Sequence, residues 1–163
     1  MKNDEIIINK WSELKKMSVE KLAQELRQET NPWVLDLFKN HLSVMVREVV
    51  GSSNYVSSET LTTMVLNGEM ENEVLAAIVR NPKVSPYTQN HVFRSTSSYI
   101  VKMAFVENPS TPSGIRKALV YDSNPQVRLA VAKSTLTSKK DLKALSEDLS
   151  EDQDVRNAAM DTL

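Results

Sequence analysis

The chain has 163 residues, with 20 Lys and Arg against 21 Asp and Glu, 40% hydrophobic side chains, three glycines, six prolines and no cysteine. A formal charge of -1 and this apolar fraction fit an ordinary folded chain and exclude disordered, collagenous and strongly basic classes. Without cysteine there is no disulfide, thiolate nucleophile, cysteine zinc site or iron–sulfur ligation, which accords with a reducing compartment, and the length suits one domain with a real core.

In chain order, Ile6-Ile7-Ile8 is cut off by Asn9 and Lys10, too short for a signal-peptide core or a membrane span. It continues as a helical stripe through Trp11 and Leu14, so the chain is expected to be cytoplasmic, with no membrane partner. Residues 18 to 29 read as a helix with Val19, Leu22, Ala23 and Leu26 on one face, and Asn31-Pro32 begins the next. From there a repeat takes over. Val46, Val74, Val101, Val127 and Val155 follow one another at 28, 27, 26 and 28 residues. Three places on stand Val49, Ala77, Ala104, Ala130 and Ala158, and four places on Val50, Ile78, Phe105, Val131 and Ala159, which share one helix face with the valines.

Three places before the valines come Ser43, Glu71, Ser98, Asn124 and Asp152, all but Glu71 favoured N-caps. Asn81-Pro82 and Asn108-Pro109 stand in register as helix stops, and Ser53-Asn54 and Ser134-Thr135 fill the same columns. A second helix then begins at Ser85-Pro86 and Thr111-Pro112, with Ser57 and Thr137 in the other units. Its apolar positions are Leu61, Met64 and Val65, then Val92 and Phe93, then Ile115, Ala118 and Leu119, then Leu142 and Leu145. Asn67-Gly68 reads as a helix stop. Val19 lies 27 residues before Val46 and suggests a degenerate first unit, although Lys16 occupies its cap column. The phase predicts a break near Asn40 to Ser43, against the competing reading of one unbroken helix from Trp33 to Val50.

A helix pair of this size cannot bury its apolar face alone, whereas stacked pairs make a continuous core. The expected fold is all-α, an α-solenoid of two-helix repeats of about 26–28 residues. Residues 1–42 form an N-terminal helical cap, and 43–163 the repeats, with units starting near 43, 71, 98, 124 and 152.

Asn124-Pro125-Gln126-Val127-Arg128-Leu129-Ala130 and Asp152-Gln153-Asp154-Val155-Arg156-Asn157-Ala158 resemble the Val-Arg-x-Ala signature of HEAT-like repeats. Asn108-Pro109-Ser110-Thr111-Pro112 and Asn81-Pro82-Lys83-Val84-Ser85-Pro86 resemble the Asn-Pro-x-Thr-Pro turn of the leucine-rich repeat variant family. The resemblance covers roughly residues 43 to 163 and implies a right-handed superhelix that serves as a scaffold. The cysteine-ligated cluster of one member of that variant family cannot transfer to a chain without cysteine.

The chemistry inventory is mostly negative. Gly51, Gly68 and Gly114 form no phosphate loop, His41 and His91 have no second histidine at i+4, and Ser95, Thr96, Ser97 and Ser98 lack a glycine-flanked nucleophile. Glu147, Asp148, Glu151, Asp152 and Asp154 crowd one stretch without the glycine of a calcium loop, and read as solvated caps. No catalytic residue, metal or cofactor is expected.

The strongest binding candidate is a cation column. Arg47, Leu75, Lys102, Arg128 and Arg156 follow the valines directly, four cations in five units. They either brace acidic loop residues such as Asp122, Asp148, Asp152 and Asp154, the favoured reading, or form a ladder for phosphates or an acidic partner. Tyr87 and Arg94 fall where the helix needs no apolar residue, beside His91, and suit a protein-binding patch, whereas Phe93 and Tyr99 read as core. The expectation is a non-catalytic interaction or scaffold protein with a protein partner. The alternative is a nucleic-acid-binding HEAT-like protein, with a HEAT-like DNA glycosylase as its enzymatic variant. The last helix, lacking a following one, is expected to expose Val155, Ala158, Ala159 and Met160, and so to fray or to form an end-to-end homodimer.

Overall fold

The computed structural model describes residues 2–163, which form twelve helices and no strand. They are α1 (Lys2–Leu14), α2 (Val19–Gln28), α3 (Pro32–Leu37), α4 (Val44–Ser52), α5 (Ser58–Leu66), α6 (Asn72–Arg80), α7 (Pro86–Ser95), α8 (Tyr99–Glu107), α9 (Ser113–Val120), α10 (Pro125–Lys133), α11 (Lys139–Glu147) and α12 (Gln153–Thr162). None of these helices is long and apolar enough to cross a membrane.

Even-numbered helices pack successively, α2 on α4, α4 on α6, α6 on α8, α8 on α10 and α10 on α12. The odd-numbered helices form a second, looser row, in which α1 meets α3, α5 meets α7 and α9 meets α11. The first row is close because its contact residues are small or β-branched. Gly51 shows this directly, since a Cβ there would stand 3.1 Å from Ile78 Cγ1. Val46, Val74, Val101, Val127 and Val155 are all buried and belong to one continuous core. Phe105 is fully buried and meets Phe93 edge to face, with ring centroids 5.5 Å apart.

The chain breaks between Leu37 and Val44, as the repeat phase requires and the unbroken-helix reading does not. Asn31, Ser57, Ser85, Asn124 and Asp152 cap their helices through side-chain oxygens. Ser18 and Ser138 do the same for α2 and α11.

Several local expectations are corrected. Ser43 and Ser98 occupy N-cap positions without a side-chain cap bond. Thr111 does not cap α9, since its hydroxyl donates to Phe105 O at 2.8 Å, and Ser138 takes the cap role expected of Thr137. Ala118 is exposed, and Val120 fills the core instead. Tyr99 is exposed as well. In α2 the buried residues are Leu22, Ala23 and Leu26, while Val19 is half-buried at the helix start and packs against the core beside them. Ile7 packs half-buried against the core and Leu14 is buried, while Ile8 and Trp11 are exposed; the side chain of Ile6 lies outside the described residues.

At the C-terminal end, Val155, Ala158 and Ala159 are buried by α10 and α11, contrary to their expected exposure. The position five places after the repeat valine is buried at Gly51, Val79, Val106 and Ala132, and is 62% exposed only at Met160. That leaves Met160 and Leu163 as the apolar surface of this end.

The Asn67-Gly68 stop forms as expected. Gly68 has φ +92°, its N–H donates to Val65 O at 3.1 Å, and the Glu69 N–H donates to Met64 O at 3.2 Å. This is a Schellman cap, and the left-handed backbone is what makes glycine necessary, because no atom crowds the site. Gly68→Ala should therefore destabilise the protein by about 1 kcal/mol, measured by urea unfolding. Gly114→Ala, in open helical space, should be neutral or stabilising.

Candidate functional site

The repeat places its charged column along the edge where each odd-numbered helix turns into the next even-numbered one. Arg47 on α4 reaches the loop before α6, where Nε donates to Glu69 Oε2 at 2.5 Å, and it also donates to the carbonyls of His41 and Leu42 at 2.8 and 3.0 Å. Arg128 on α10 repeats the arrangement with Glu151 at 2.5 and 2.7 Å and with the carbonyls of Asp122 and Ser123. Lys102 on α8 pairs with Asp122 at 2.7 Å. The three acids are nearly buried, at 5%, 6% and 8% side-chain exposure, so these are shielded pairs and not solvated ones.

The acids do a second job. Glu69 Oε1 accepts the Glu71 N–H, Asp122 Oδ1 accepts the Asn124 N–H, and Glu151 Oε1 accepts the Asp152 N–H, so each fixes the entry to a first-row helix. His41 Nδ1 serves the same purpose toward Ser43 N at 3.1 Å. The one unit whose cation is replaced, by the buried Leu75, has Thr96 in the acid's place, and its hydroxyl still accepts the Ser98 N–H. Cation and acid are lost together, as bracing demands. The bracing acids are thus Glu69, Asp122 and Glu151. Of the other expected partners, Asp148 instead accepts from Ser150 and Asp152 caps α12, while Asp154 is exposed in its first turn.

Arg156 differs from the others. It bonds only Gln153 on its own helix through Nη2, and its Nε is buried without a partner. Because Arg47, Lys102 and Arg128 are held in pairs, the four cations do not form a free ladder.

Glu151 is held below its ordinary pKa of 4.5, first by the Arg128 hydrogen bonds and further by the Asp152 N–H, against the effect of burial. A depressed carboxylate contributes stability that is fully present above the unfolded value and is lost as pH falls through the folded one. Melting temperature should therefore drop as pH falls below 4.5, and Glu151→Gln, with no carboxylate to titrate, should show a lower and flatter profile over that range.

The second candidate surface is α7. Tyr87, Asn90, His91 and Arg94 recur at helical spacing along its outer side, line one shallow depression with Ser95, and are all exposed. Among the described residues Arg94 makes no ion pair, so its guanidinium is free for a partner. Phe93, on the opposite side, packs inward as expected. Tyr87 and Arg94 are thus brought together on a surface that none of the bracing residues share.

No group of three or more His, Asp or Glu that could hold a metal ion occurs among the described residues. No family model, curated protein or solved structure matches this chain.

Proposed function

We propose that this protein is a non-catalytic helical-repeat scaffold of the HEAT-like or leucine-rich-repeat-variant kind, working in the cytoplasm. Its two-helix units stack as an α-solenoid wound into a right-handed superhelix, and its surface holds a protein partner. The observation that carries this reading is the α7 face, where Tyr87 and Arg94 are exposed on the same side of the helix, two turns apart, and line one depression with Asn90 and His91 between them. Aromatic and arginine side chains of this kind supply most of the binding energy at protein interfaces. Supporting it, three of the four cations in the column that a nucleic-acid reading would use, Arg47, Lys102 and Arg128, are spent on Glu69, Asp122 and Glu151.

The reading is tested by comparative capture of partners from the native cell lysate, with Tyr87→Ala/Arg94→Glu set beside the unaltered chain. A protein held by the unaltered chain and lost by the double variant, with melting temperature unchanged, supports the α7 face. Binding of an oligonucleotide that falls steeply with salt and survives that double variant would favour the nucleic-acid alternative.

A further inference from the structure

Between the second-row helices α9 and α11 lies a cavity of about 160 Å³ with an apolar floor that includes Leu119, Val120 and Val131. Two side chains of opposite charge border it, Arg116 from α9 and Asp141 from α11, yet they do not approach within the 4.0 Å of an ion pair. Arg116 is half-buried and fixed in orientation by two main-chain carbonyls, with Nη2 donating to Asn108 O at 2.5 Å and Nε to Thr111 O at 3.2 Å. Its Nη1 has no partner in the protein. Asp141 receives the Ser138 hydroxyl on Oδ2 at 2.6 Å and leaves Oδ1 free.

Arg116 is a half-buried guanidinium whose two main-chain acceptors carry no formal charge, so its positive charge is left without a carboxylate, and burial pushes its pKa down. Arg47, Lys102 and Arg128, also half-buried, each have a carboxylate. In the groove between α3 and α5 the acid Asp36 is already taken by Lys39 and Thr60. The groove between α9 and α11 combines an apolar floor with one free donor and one free acceptor.

We propose that this cavity binds an aliphatic α-amino-acid group, with its carboxylate on Arg116, its N–H on Asp141 and its branched side chain over Leu119, Val120 and Val131. The planar guanidinium suits a carboxylate, and the short distance between α-carboxylate and α-nitrogen suits two polar groups facing one small cavity. The group can come from a free amino acid or from the C-terminal residue of a peptide. The proposal goes beyond the scaffold reading and fails separately from it, since it uses none of the α7 residues.

Calorimetric titration with N-acetyl-Gly-Leu, its C-terminal amide and free L-leucine tests it. The acid should bind saturably, the amide about tenfold or more weaker, and Arg116→Gln should abolish binding of the acid. Asp141→Asn should weaken it severalfold, and this near-isosteric change at a half-buried helix position keeps the test open if the Arg116 variant is unstable. Tighter binding of the capped dipeptide assigns the pocket to a chain terminus, and tighter binding of leucine to the free amino acid. No saturable binding of any of these, or equal binding of acid and amide, overturns the proposal.

Discussion

Asn108→Asp should be among the most destabilising single substitutions in this protein, costing about 3–5 kcal/mol at neutral pH. The Asn108 amide is buried, with Nδ2 donating to Val79 O near the end of α6 and Oδ1 accepting the Ser110 N–H at 2.8 Å. It therefore ties the turn after α8 to the C-terminus of α6, one unit back. A carboxylate in that place sets negative charge against the Val79 carbonyl oxygen, while the nearby Arg116 guanidinium is bonded to the Asn108 main-chain carbonyl and not to its side chain. Asn108→Ala should cost about 1–3 kcal/mol, the penalty of leaving Val79 O without its donor. Asn81, which donates to the carbonyls of Gly51 and Ser53 at 2.8 and 2.9 Å, should behave likewise. Ser134, in the same column, accepts only from the nearby Leu136 N–H, and its replacement by alanine should be small. Urea unfolding at neutral and acid pH distinguishes these cases. The aspartate variant should recover toward the alanine variant as pH falls, because a protonated carboxyl can donate to Val79 O. An aspartate variant no worse than alanine would show that the amide is not an inter-unit tie.

The same asparagines show what was legible in the sequence and what was not. Asn81-Pro82 and Asn108-Pro109 mark where α6 and α8 end, because proline acts on local backbone geometry. Their side chains, however, reach 28 to 30 residues back along the chain, and local spacing carries no sign of that. Caps at Ser85, Asn124 and Asp152 were readable for the same local reason. Thr111 was not, since choosing between the α9 N-terminus and Phe105 O depends on tertiary contact. Burial was readable where the period was regular, from Val46 to Val155. It failed at Tyr99, where a large side chain on the first residue of α8 turns outward. The acid column was in principle visible. Glu69, Thr96 and Asp122 each stand five places before a repeat valine, but the signal lies in their covariation with Arg47, Leu75 and Lys102 and not in any single residue.

Bracing and ligand contact predict opposite results for Arg128. If the guanidinium is a brace, Arg128→Met should cost about 3 kcal/mol, because it leaves the Glu151 carboxylate nearly buried and unpaired. Glu151→Gln should cost less, since the amide still accepts from Arg128 through its oxygen. Adding Glu151→Leu to Arg128→Met should recover part of the loss, by removing the orphaned charge. The coupling from this cycle should be about 1–3 kcal/mol and should hardly change with salt, as expected for a shielded pair. Arg156→Met supplies the internal comparison. Its partner Gln153 is one turn away on the same helix and uncharged, so the loss should stay near 1 kcal/mol or below. A ladder of ligand-binding cations would show the reverse, with all four replacements reducing affinity for an anionic partner while leaving stability alone. Unequal stability losses that track the carboxylates at Glu69, Asp122 and Glu151 would mean that this charge joins one unit to the next, and that partner recognition lies on other faces of the molecule.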